Sequence, residues 1–161
     1  MSRLNWILGP RRAPIWRATF VFLALAATWA TLTPNADPVG RGLSMLRWIA
    51  ELVLGDPNED DKIGHFAAYG ALGGALALSR GDFFRGRAPG GRLFGAVLLA
   101  AYGASLEYAQ LLGGVRYADP ADGLANALGA ICGVLVGLLL ERIAEIRASR
   151  RAGAYYAAGR R

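Results

Sequence analysis

The stretch SLEYAQLLGGVRYADPADGLANALG, residues 105–129, decides how this chain is read. It carries Glu107, Arg116 and Asp122, yet it is flanked by LFGAVLLAAYGA (93–104) and GAICGVLVGLLL (129–140). A charge next to such lipid-like segments is costly unless it faces water, a partner or a task. The stretch therefore reads as a short polar connection between two membrane-crossing helices. Working outward from it, two more apolar blocks precede the pair.

The four blocks cover residues 18–33, 63–79, 93–112 and 121–140. Each is near the roughly 20 residues a helix needs to cross a hydrocarbon core. With 22 glycines and many alanines, much of it inside the blocks, the composition suits closely packed membrane helices. The expected fold is all-α: an integral membrane four-helix bundle forming one domain over 1–140. Between spans 1 and 2, RGLSMLRWIAELVLG (41–55) reads as a short interfacial helix anchored by Trp48. Residues 141–161 form a basic cytoplasmic tail that starts as a charged helix extension and closes on RRAGAYYAAGRR, read as a mobile end.

The net charge is +6, from 18 Lys+Arg against 12 Asp+Glu. The arginines do not line one stripe, so no nucleic acid is expected as a partner. They cluster in the N-terminal segment, in the 80–92 loop and in the tail, while Arg116 stands alone in its connection. Basic segments stay in the cytoplasm, so both termini are expected inside. A signal peptide is the rival reading of the first block, but its basic lead is long and the rest of the chain is membrane-like. The single cysteine, Cys132, excludes an internal disulfide.

This orientation puts the unusual residues at one depth, on the outer side. Asp61, Lys62 and His65 open the second span, and Glu107 and Gln110 close the third. Arg116, Asp122 and Asn126 follow in the short connection and the top of the fourth. Asp61 and His65, four apart, share a helix face, and Glu107 and Gln110, three apart, are neighbours. Asp122, Asn126, Gly129, Gly133 and Gly137 run down one side of the fourth span, where glycines admit a close neighbour. Bland explanations exist: Asp119 as an N-cap with Pro120 after it, Lys62 and Arg116 snorkelling to headgroups, His65 as a packing residue. Glu107 resists them. It lies about 7 Å inside a helix C-terminus, where the dipole disfavours its charge, and it needs Arg116, Lys62 or His65 as a partner.

The ordered pattern Asp61-Lys62-x-x-His65, Glu107-x-x-Gln110, Arg116, Asp122-x-x-x-Asn126-x-x-Gly129 resembles the VanZ-like membrane proteins over roughly residues 20 to 140. The resemblance implies a small multi-pass protein of the bacterial inner (cytoplasmic) membrane, in a family named for a member linked to teicoplanin resistance. Its polar pattern carries over onto Asp61, Lys62, His65, Glu107, Gln110, Arg116, Asp122 and Asn126, as a cluster that binds or acts on a cell-envelope component. A lipid-linked or cell-wall precursor is the expected ligand, alongside the bilayer itself. The alternative is a structural or accessory subunit, with the cluster only locking helices in an oligomer or against a partner. No nucleophile motif surrounds Ser105, and one histidine argues against zinc. The expectation leans away from an enzyme, with no cofactor and no metal.

Overall fold

The computed structural model describes residues 13–33, 44–79, 89–114 and 119–158, and these are almost wholly helical. In chain order the helices are α1 (Ala13–Leu32), α2 (Ser44–Leu54), α3 (Asp60–Leu78), α4 (Pro89–Gly113) and α5 (Pro120–Ala158), with a 3₁₀ turn at Pro57–Glu59 ahead of α3. The all-α expectation holds. Local chemistry sets the boundaries. Prolines begin α4 and α5, where a missing N–H costs nothing. Asp119 caps α5, its Oδ1 accepting from Ala121 N at 2.8 Å. Gly55 (φ 79°) and Gly114 (φ 62°) follow α2 and α4 in the left-handed conformation that stops a helix and favours glycine.

The most extensive helix contact is between α3 and α5. Its cause is small residues. Gly129 lies against the Phe66 carbonyl, Gly133 against Gly70, and Gly73 against Ala130, so closely that a Cβ at any of them would collide with backbone. Around this seam Tyr69, Leu72, Leu76, Ala96, Leu99, Ala130 and Val134 form the buried core. Helix α1 packs on it through Phe20, Leu23, Ala24 and Ala27. The Thr28 and Tyr102 hydroxyls hydrogen-bond each other across α1 and α4.

Among the described residues, two helices are long and apolar enough to cross a membrane: Ala13–Leu32, and Pro120–Arg150 within α5. Helices α3 and α4, expected as spans at 63–79 and 93–112, do not meet that measure. Helix α3 opens on Asp60, Asp61, Lys62 and His65 and is rich in glycine and alanine, which lowers its hydropathy. Helix α2 occupies the place expected of the interfacial helix, with Met45, Trp48, Leu52 and Val53 exposed. Helix α5 continues unbroken to Ala158, so most of RRAGAYYAAGRR is helical. Alanine, arginine and glutamate favour this, and Arg142 pairs with Glu145 three residues on, at 3.3 Å.

Candidate functional site

The site is assembled where the start of α3, the last turns of α4 and the start of α5 meet. His65 lies one turn into α3, on the face that continues to buried Tyr69. Asn126 and Asp122, four apart on α5, point inward and are 1% and 2% exposed. Glu107 on α4 is 7% exposed. Gly103, one turn before Glu107, makes the room: a Cβ there would stand 3.0 Å from both Asn126 Nδ2 and the Tyr69 hydroxyl.

The imidazole is the centre of this group. His65 Nδ1 lies 3.0 Å from Asn126 Oδ1 and 4.0 Å from Glu107 Oε1. His65 Nε2 lies 3.7 Å from Asp122 Oδ2. Asn126 Oδ1 can accept a proton held on Nδ1, while Nε2 faces Asp122. One donor atom each from His65, Glu107 and Asp122 lies within 4.8 Å of the others, a spacing that could hold a metal ion. Chemically the group can accept protons, donate to an oxygen through Nδ1–H, or surround a cation.

A second, shallower group adjoins it. Lys62 bonds Glu59 and approaches Asp119 at 3.2 Å and Asp61 at 4.0 Å. Asp61 Oδ1 accepts from Lys62 N at 2.8 Å. The Glu59 carboxylate, aided by Asp119 and Asp61 against a smaller opposing effect of burial, holds the Lys62 ammonium above the usual lysine range. Lys62 is thus engaged by α5's capping residue, and His65 is the described candidate that lies beside the Glu107 carboxylate. Asp119 combines the expected cap with this ion pair, and no pattern of spacing points to Glu59.

Gln110 goes elsewhere. Its Nε2 donates to Thr31 O at 2.5 Å, closing a carbonyl in the last turn of α1. It positions α4 against α1 and does not face His65. Arg116 lies outside the described residues. The structure also holds a polar pair that residue spacing does not reveal. Arg92, expected in a loop, is 7% exposed within α4 and donates to Glu141 Oε2 on α5 at 2.5 Å. The only sequence signal is position: each residue adjoins an apolar block, Arg92 before Leu93 and Glu141 after Leu140.

No curated protein and no solved structure matches the chain. A family model does. The VanZ/LLP1 model matches residues 17–141, a span that takes in α3, α4 and the whole of the cluster around His65, and the chain belongs to the VanZ/LLP1 family.

Proposed function

We propose that this protein crosses the bacterial cytoplasmic membrane four times, with both termini in the cytoplasm, and uses the His65 cluster as an outward-facing site for a cell-envelope component. Charge placement supports the crossings. Helix α5 has no charged side chain between Asp122 and Glu141, which at 1.5 Å per residue is about 28 Å, against a hydrocarbon core of about 30 Å. Helix α4 has none between Arg92 and Glu107, and α3 none between His65 and Ser79. Phe22, Leu25, Trp29, Val97, Leu135 and Leu139 are at least half exposed around this slab, where lipid, not water, is their fitting neighbour.

The observation that carries the reading is convergence. Three helices bring His65, Glu107, Asp122 and Asn126 together, and the His65 side chain keeps 17% exposure. A ligand bearing amine or hydroxyl groups, as lipid- and peptide-linked wall precursors do, would find acceptors in the carboxylates and a further polar contact at the imidazole Nε2. The role is binding, and a link to glycopeptide susceptibility follows if the ligand is such a precursor. The test uses full-length protein in nanodiscs of native lipid, with native mass spectrometry of what is retained. Glu107→Gln and Asp122→Asn should keep membrane levels and lose the retained precursor at least tenfold.

The near-complete burial of Asp122 and Asn126 favours a second reading, in which the cluster only locks α3, α4 and α5 together. Loss of the folded protein in the same two variants, or retention of the same lipids by both, selects that role.

A further inference from the structure

We infer that His65, Glu107 and Asp122 form the protein half of a divalent-cation site, with Asn126 holding the imidazole in the ligating orientation. Three observations converge. First, the donor atoms already lie within 4.8 Å of one another. Two oxygens on opposite sides of a calcium-sized ion are about 4.6–5.2 Å apart and of a magnesium-sized ion about 4.2 Å, so a small inward movement suffices. Second, the donors come from three helices, α3, α4 and α5, so their spacing is set by packing around Gly103 and Gly129 and not by a local turn.

Third, Nδ1 lies 3.0 Å from Asn126 Oδ1, which can hold a proton on that nitrogen and so leave Nε2, 3.7 Å from Asp122 Oδ2, to ligate the ion. A metal-binding histidine usually has its other nitrogen held by such an acceptor. Two carboxylates with one imidazole suit a hard divalent ion that tolerates nitrogen, Mn²⁺ above all, and disfavour a closed structural zinc site. Three protein ligands leave coordination positions for water or for a phosphate oxygen.

The inference deepens the envelope-site reading and rests on it for the ligand, not for the ion: the bound cation would give the cluster an affinity for the phosphate of a lipid headgroup or precursor. The experiment uses the full chain in detergent or nanodiscs, stripped with chelator and titrated with Mn²⁺ while the free-ion EPR signal is followed. One Mn²⁺ per chain is expected. Glu107→Gln and Asp122→Asn should each weaken binding at least tenfold, and Asn126→Ala about tenfold through the loosened ring. Glu145→Gln, at an exposed position on α5, should bind as the parent does.

Where a variant does not fold, pulsed EPR of the parent decides alone: an imidazole nitrogen coupled to bound Mn²⁺ is expected. Absence of bound Mn²⁺, absence of that coupling, or undiminished binding in both carboxamide variants overturns the site. Precursor retained without Mn²⁺ overturns this inference and leaves the envelope reading standing. Mn²⁺ bound without precursor does the reverse.

Discussion

The two ends of the uncharged stretch of α5, from Asp122 to Glu141, hold polar groups in opposite ways. At one end Arg92 meets Glu141 at 2.5 Å, a direct pair of opposite charges with little exposure on either side chain. At the other, His65 stands 3.7 Å and 4.0 Å from two carboxylates, close enough for attraction but too far for hydrogen bonds. The first arrangement is closed: donor and acceptor are in contact, as suits a fastening between α4 and α5. The second is looser around the ring, with Asn126 and Glu107 on the Nδ1 side and Asp122 beside Nε2. A structural pair has reason to close, whereas a binding site needs spacing that a ligand can complete. Burial alone does not separate them, since Arg92 and Glu107 are each 7% exposed.

The contrast between the ends is tested most severely at the closed one. Replacing Arg92 by Met removes the cation facing the buried Glu141 carboxylate and should cost about 3–5 kcal/mol. The double change with Glu141→Met should recover most of it, leaving precursor retention by the His65 cluster intact. Thermal unfolding in detergent, read beside the retained lipids, checks both. If the double variant stays as damaged as the single one, the pair is not a simple fastening.

A change on the shared seam should hurt both ends. A Cβ at Gly133 would stand 2.9 Å from Gly74 N and collide with the Gly70 carbonyl. Gly133→Ala should therefore cost about 1–3 kcal/mol by forcing α3 and α5 apart, lowering the unfolding temperature and weakening the His65 cluster together. At the open end, Gly103→Ala should act more selectively. It presses on Asn126 and Tyr69 at 3.0 Å, so ligand retention should fall several-fold with a stability loss of about 1 kcal/mol.

The smallest effect is expected at Lys62. Its pairs with Glu59 and Asp119 are partly exposed, so Lys62→Gln should cost at most about 1 kcal/mol. Because Glu59 and its neighbours raise the ammonium's pKa, that contribution is complete below the ordinary lysine value and fades only as pH climbs through the raised one. Unfolding of Lys62→Gln and the parent should therefore differ by a constant amount across neutral pH.

Much of this architecture is legible in the residues alone. The apolar blocks at 18–33, 93–112 and 121–140 fall within α1, α4 and α5 almost throughout, because helical length and hydrophobic run are local properties. The glycines at 129, 133 and 137 mark the face of α5 that meets α3, since only a missing Cβ lets backbones come so near. Glu107 stands out because its place near a helix C-terminus demands a partner, and a partner is there. Which partner is beyond the reach of spacing. Arg116, Lys62 and His65 are equal candidates on that ground; Arg116 lies outside the described residues, and Glu59 and Asp119 draw Lys62 aside. Arg92 reads as a loop residue because α4 begins at Pro89, a boundary that its Gly- and Arg-rich lead obscures.

Short-range rules of period, capping and side-chain size are enough to make the chain helical, to single out its unusual charges, and to mark the faces small enough to pack tightly. All of these are written in the order of the residues. Helix packing alone assigns Gln110 to the end of α1, makes Arg92 fasten α4 to α5, and rests His65 on Asn126 between two acids. Such choices depend on how the helices rotate against one another around a seam of glycines. A rotation of one residue, about 100° at 3.6 residues per turn, would assign every one of those partners differently.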